Sequence, residues 1–213
     1  MESPQDKYIR EHSSKPNEAL DWLQKQTNIL TNYPRMLSGA VQGEFLKLMV
    51  EISGAANILE IGCFTGYSAI CLASGLKEGG RVDTLEINDE LKALCLEAWT
   101  RAGLQDKIQL HIGNALDYME RFAQEGRQYD LVYIDANKRE YPLYLKAVKS
   151  LIHSGSIILA DDVMLGGKPE ELPSRPDKQT AGLLEFNSAV VSDPELEVVM
   201  LPLRDGLSLI RKL

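Results

Sequence analysis

The chain has 213 residues, 44% hydrophobic and 25% charged, with a formal net charge of -8. That length and composition suit one globular domain with a substantial core. The acidic balance counts against a nucleic-acid partner, and no run approaches the roughly 20 apolar residues of a membrane span.

The opening residues, Met-Glu-Ser-Pro-Gln-Asp-Lys7, are polar and carry no apolar stretch, so the reading is a cytoplasmic chain without a secretory leader. The first 55 residues read as helical. Pro16-Asn-Glu18 opens a helix with Leu20, Leu23, Thr27 and Leu30 on one face, and Gln42–Ile52 forms a second around Phe45, Leu46, Met49 and Val50. Between them lies a loop, Tyr33-Pro-Arg-Met-Leu-Ser-Gly39.

From Asn57 onward, short apolar runs alternate with amphipathic ones. Strands are predicted at Ile58–Ile61, Arg81–Glu86, Ile108–Ile112, Leu131–Asp135 and Ser156–Asp161. Helices are predicted at Tyr67–Leu76, Asp89–Ala102, Leu116–Gln124, Tyr141–Leu151 and Thr180–Val191. This alternation marks an α/β fold, a parallel sheet with helices on both faces. Leu196–Leu201 and Leu207–Ile210 break the pattern and predict an antiparallel hairpin at the sheet edge. The whole of residues 1–213 reads as one domain, a helical segment over 1–55 and an α/β core over 56–213. Leu165–Lys178, rich in glycine and proline, reads as an unstructured lid. Cys63, Cys71 and Cys95 have no metal-ligand spacing and read as core or near-core thiols.

The chemistry concentrates at strand ends. Ile58-Leu-Glu-Ile-Gly-Cys-Phe-Thr-Gly-Tyr-Ser68 runs from a strand through a glycine turn into a helix. Its Glu60-x-Gly62-x-x-x-Gly66 pattern is not the dinucleotide fingerprint, because an acidic Glu60 there repels phosphate and favours a cationic ligand. S-adenosylmethionine fits, with its sulfonium and ammonium, and its carboxylate can meet the helix start near Ser68. Glu86 ends the next strand, where an acidic side chain can take both hydroxyls of a ribose.

Asp135 ends the fourth strand and Asp161-Asp162 the fifth. Three carboxylates without His or Cys suit a hard cation, magnesium first, with calcium or manganese as alternatives. Lys138, three residues after Asp135, is the candidate general base if a dication and desolvation depress its pKa. None of His12, His111 and His153 stands out as a site residue; His111, within a strand pattern, and His153, at a helix end, read as structural.

These segments together resemble the cation-dependent O-methyltransferases of the catechol and caffeoyl-CoA type. The resemblance spans about residues 34–213 and rests on five segments. They are Ser38-Gly-Ala-Val-Gln-Gly-Glu-Phe-Leu46, the glycine turn, Tyr133-Ile-Asp-Ala-Asn-Lys138, Glu185-Phe-Asn187 and Leu201-Pro-Leu-Arg-Asp-Gly-Leu-Ser208. It implies a Rossmann-like seven-stranded methyltransferase sheet, usually in a homodimer. It further implies that Ser38, Glu60, Gly62, Cys63, Ser68, Glu86, Ala115 and Asp135 line the S-adenosylmethionine site. Asp135, Asp161 and Asp162 would hold the cation, and Lys138 would take the proton of a small catechol-like or phenolic acceptor.

Two departures stand out. Asp162 occupies a place where the family usually has Asn, which makes the cluster formally -1 against one dication and predicts tighter binding by a weaker Lewis acid. Met164-Leu-Gly-Gly167 replaces a tryptophan-bearing segment of the plant enzymes. Two other readings use the same residues: methylation of a hydroxyuridine in tRNA, which Lys168, Arg175 and Lys178 would favour, and cofactor binding without catalysis.

Overall fold

The computed structural model describes residues 4–169, 171 and 175–213. Three helices come first: α1 (Pro4–Glu11), α2 (Glu18–Leu30) and α3 (Ala40–Ser53). The alternating part follows as β1 (Asn57–Ile61), α4 (Tyr67–Ser74), β2 (Arg81–Glu86), α5 (Lys92–Arg101), β3 (Ile108–Ile112), α6 (Ala115–Gln124), β4 (Tyr129–Ile134), α7 (Tyr141–Val148) and β5 (Ile152–Asp161). It closes with α8 (Lys178–Ser192), β6 (Leu196–Leu201) and β7 (Leu207–Lys212). Among the described residues, no helix is long and apolar enough to cross a membrane.

The seven strands form one sheet in the order β3-β2-β1-β4-β5-β7-β6. β1 to β5 are mutually parallel, whereas β7 runs antiparallel to both β5 and β6, as the apolar tail predicts. The order reverses direction between β1 and β4, and at such a switch point the loops leaving the strands part to open a crevice.

Strand alternation sends side chains to two cores. Ile58, Leu131, Tyr133 and Leu159 pack with Leu46, Ile70 and Trp99 beneath α3, α4 and α5. Leu59, Ile61, Val132 and Ile134 pack with Phe122, Tyr144 and Phe186 beneath α6, α7 and α8. Helix starts are fixed by side chains that accept from otherwise unsatisfied backbone N–H groups: Asn17 for α2, Asn114 for α6 and Asp177 for α8.

Several boundaries differ from expectation. β4 ends at Ile134, so Asp135 stands one residue beyond it, with its N–H still donating to Ile61 O (2.9 Å). β5 begins at Ile152 rather than Ser156, because a register shift opposite Tyr129/Leu131 absorbs the polar turn His153–Gly155. The predicted helix over 89–102 opens as a 3-10 turn, Asp89–Leu91, before α5. The expected unstructured stretch contains one 3-10 turn, Leu165–Gly167, while residues 170 and 172–174 of that lid lie outside the described residues.

Candidate active site

A cavity of about 630 Å³ lies across the C-terminal ends of β1, β2 and β4. Ser38, Gly62, Cys63, Ser68, Glu86, Ala115 and Asp135 all line it, so seven of the eight expected cofactor residues meet in one place. The turn after β1 makes the floor. Gly62 has φ +98°, and its N–H donates to Leu85 O (3.0 Å). Glu86 is held at the edge by two backbone donors, Phe64 N–H to Oε2 (2.7 Å) and Asn88 N–H to Oε1 (2.8 Å). Each carboxylate oxygen keeps further acceptor capacity, so a diol can still be bound there.

Glu60 is the exception. It is fully buried and absent from the cavity wall, beneath the turn, where Thr84 Oγ1 donates to its Oε2 and Oε1 has no partner. Burial pushes its pKa up to about 8, only partly offset by the hydroxyls of Ser68 and Thr84. A neutral acid at this depth does not supply the full negative charge expected of it at the strand end. The folded state therefore binds this proton more tightly than the unfolded chain, and stability must fall as pH rises from about 4.5 to about 8. Glu60→Gln is expected to flatten the fall in melting temperature between pH 5 and pH 8. An unchanged slope in a thermal melt series would contradict the buried acid.

All three cysteines are buried free thiols, and Cys63 and Cys95 lie with their sulfurs 3.9 Å apart behind the turn. His111 and His153 bond to Asp83 (2.7 Å) and Asp130 (3.0 Å), away from both cavities, and His12 to Tyr8 O (2.8 Å).

A second cavity of about 330 Å³ adjoins the first, sharing Tyr33, Met36, Asp135 and Asp162 in its wall. Asp161 lines it as well, so all three predicted carboxylates face one space. Their side chains are nevertheless turned to different partners. Asp161 Oδ2 accepts from Gln42 Nε2 (2.5 Å) and Tyr133 OH (3.0 Å), while Oδ1 is buried without a partner. Desolvation, with the neighbouring charges of Asp135 and Asp162, pushes its pKa up to about 6. Asp135 and Asp162 instead flank Lys138. Among the described residues, no three acidic, His or Cys side chains are gathered into a ready-made cation cage.

The donor set still suits a divalent cation: carboxylates of one cavity wall supply oxygen ligands only, and Oδ1 of Asp161 is a buried acceptor without a hydrogen-bond partner. Asp162 adopts φ +56°, a left-handed conformation that Asp tolerates better than most residues.

Lys138 is buried at 7% exposure. Its Nζ donates to Asp135 Oδ1 (2.8 Å), Tyr141 OH (2.8 Å) and Asp161 O (3.3 Å), and pairs with Asp162 Oδ2 (3.3 Å). Burial alone would lower its pKa, but Tyr141, Asp135 and Asp162 together raise it well above the ordinary lysine value. Those three neighbours outweigh desolvation, so this arrangement holds Lys138 as an ammonium.

Several wall residues carried no sequence signal of their own. Tyr33 and Met36 come from the loop before α3, Asn88 follows Glu86, and Tyr144 and Gln179 reach in from α7 and α8. Gln42 was part of a motif but has no acid–base chemistry to mark it.

The family model described as O-methyltransferase matches residues 10–213. The chain belongs to the O-methyltransferase family. A curated relative, the caffeoyl-CoA O-methyltransferase of Eucalyptus gunnii, is 32% identical over 215 residues, covering 97% of this chain and 86% of that one. Among solved structures, an O-methyltransferase from Bacillus cereus in complex with SAH superposes with a TM-score of 0.92 at 30% identity, covering 100% of this chain and 98% of that one. TomG of Streptomyces achromogenes, an O-methyltransferase involved in tomaymycin synthesis and solved with SAM, gives 0.91 at 28% identity, with coverage of 99% and 96%. Membership makes this O-methyltransferase an S-adenosylmethionine-dependent enzyme, and the seven-stranded sheet with its antiparallel hairpin is the fold it shares with these neighbours.

Proposed function

We propose that this O-methyltransferase methylates a hydroxyl of a small catechol-like or phenolic acceptor with the help of a divalent cation. One observation carries the reading: two carboxylates stand at the shared edge of a large cavity and a smaller one, both paired with a charged lysine in the wall of the large one. The smaller cavity, walled by Tyr33, Pro34 and Met36 as well as the carboxylates, suits a compact ring bearing polar groups on one edge.

The large cavity supplies orientation. Glu86 would hold the ribose, Ser68 at the start of α4 the carboxylate end, and Gly62 and Cys63 the close floor. The cofactor supplies an electrophilic methyl group, and the cation, held by Asp135, Asp161 and Asp162, would supply Lewis acidity toward an acceptor oxygen. The acceptor oxygen forms a bond to the methyl carbon as the carbon–sulfur bond breaks, the electron pair leaving with sulfur in S-adenosylhomocysteine. Holding the two reacting atoms near attack distance and in line contributes much of the acceleration.

Lys138 is the basic group of this arrangement. While Asp135 and Asp162 hold it, it attracts an ionised hydroxyl. It takes the hydroxyl proton itself only once those carboxylates are engaged elsewhere and its ammonium has first released a proton to solvent. The homodimer implied by the family resemblance belongs to the same proposal, and the exposed Val199 and Met200 on edge strand β6 support it.

The test is S-adenosylhomocysteine release across catechols, flavonoids, monophenols and hydroxyuridine-containing tRNA, each with magnesium and with EDTA. Turnover of catechols that EDTA abolishes is expected. Full turnover in EDTA removes the cation from the reaction, turnover confined to tRNA changes the acceptor, and none with any acceptor leaves a binding module.

A further inference from the structure

Gln42 is 1% exposed in the first turn of α3, and no step of the proposed reaction uses it. Both polar atoms of its side chain are nonetheless committed, to three partners. Nε2 donates to Asp161 Oδ2 (2.5 Å) and to Tyr133 OH (3.0 Å), and Tyr133 OH donates in turn to the same Oδ2 (3.0 Å). Oε1 accepts from Arg204 Nη1 (3.3 Å). Only one orientation of the amide serves this set: its NH2 must face the carboxylate and its oxygen the guanidinium.

Two donors therefore close off Oδ2 of Asp161 and fix the plane of its carboxylate, leaving Oδ1 as the single uncommitted oxygen. The far end of the network reaches the cavity walls. Arg204, in the turn between β6 and β7, also donates to Leu37 O (2.8 Å), Ser38 O (2.6 Å) and Arg35 O (3.3 Å). These carbonyls belong to the loop that carries Tyr33 and Met36 into both cavities. Gln42 is thus the joint at which the hairpin turn, the loop and the carboxylate of β5 are locked together.

We propose that Gln42 is a positioning residue for the transfer, acting through Asp161 by presenting Oδ1 and withholding Oδ2. The proposal rests on the reading of Asp161 as part of the reaction site. Gln42→Leu keeps the bulk and removes every hydrogen bond. Its kcat is expected to fall about 10- to 100-fold, because a small misplacement near the reacting atoms is costly. KM for S-adenosylmethionine should stay within about twofold, since Gln42 is not in the wall of the large cavity. Mn2+ added alone, followed by electron paramagnetic resonance, should bind about tenfold more weakly, the usual cost of losing a partner that orients a ligand.

Tyr133→Phe removes the other donor to the same oxygen and should shift kcat and Mn2+ binding the same way. The double variant should fall well short of the product of the two effects. Wild-type kcat and Mn2+ affinity in Gln42→Leu would overturn the proposal. So would a loss confined to melting temperature and S-adenosylmethionine affinity, which would make Gln42 merely structural. If the wild type turns over no acceptor, the functional reading fails and the Mn2+ titration alone decides Gln42. If it binds no Mn2+, the kcat and KM split decides, and failure of both wild-type assays overturns the proposal.

Discussion

Lys138→Ala is expected to lower kcat about 100-fold or more, within the range for removing a positioned acid–base or charged group. S-adenosylhomocysteine affinity should change less than about threefold. The asymmetry follows from where Lys138 is anchored. Its ammonium contacts Asp135, Tyr141, Asp162 and the Asp161 carbonyl, all on the β4–β5 side. Glu86 and Ser68, the proposed anchors of the donor, sit on the β1–β2 side and bond to nothing that Lys138 touches.

The variant also leaves Asp135 and Asp162 facing each other without the cation between them, so some stability is lost. Lys138→Met separates the two effects, since it keeps the apolar stem and removes only the charge. Both variants should be equally slow if charge is what matters, and Met should melt closer to wild type. Turnover by S-adenosylhomocysteine release and affinity by calorimetry check the split. Undiminished turnover in the methionine variant, or a loss of affinity matching the loss of rate, would remove Lys138 from the reaction.

The parts of the fold that were legible in the sequence are those that local pattern governs. Arg81–Glu86, Ile108–Ile112 and Leu196–Leu201 are strands with the expected bounds, because an apolar run meets a turn or a charged residue at each end. That the residues at these strand ends would line one cavity was legible for a topological reason. Parallel strands deliver every strand-end residue to the same edge, so Gly62, Glu86 and Asp135 needed only their strands to be found.

What the sequence could not carry is what each side chain does once there. Glu60 shares a sheet face with Ile58, and that face is covered by α3 and α4, so a carboxylate read as facing a ligand is instead buried as an acid. Lys138 has its expected neighbours, yet the balance between burial and two carboxylates sets its charge, and no spacing rule weighs those against each other. Gln42 reaches Asp161 across 119 positions, a contact that depends on how α3 settles against β5.

The second large effect is expected at Gly62, where alanine should abolish most donor binding and lower the melting temperature by about 10 °C. A Cβ at this position would lie 2.1 Å from the carbonyl oxygen of Asp135 and 3.1 Å from Ala136 Cβ. Neither side can yield cheaply. Gly62 N–H is tied to Leu85 O (3.0 Å) and Asp135 N–H to Ile61 O (2.9 Å), so the turn is pinned to β2 and the stretch after β4 is pinned to β1. A methyl group must pry these strand ends apart where the cavity floor and a proposed cation ligand meet.

That distortion comes on top of the strain of φ +98° for a residue with a side chain. A cost of about 3–5 kcal/mol corresponds to about 10 °C for a chain this long, at about 2–4 °C per kcal/mol. Gly126→Ala is the control, because φ there is also positive (+70°) but a Cβ would meet nothing within 4 Å. It should lose only about 1 kcal/mol of conformational preference and bind the donor normally. Should the two variants melt within about 2 °C of each other, backbone strain alone would account for Gly62. The close approach of β1 and β4 would then not be what requires glycine.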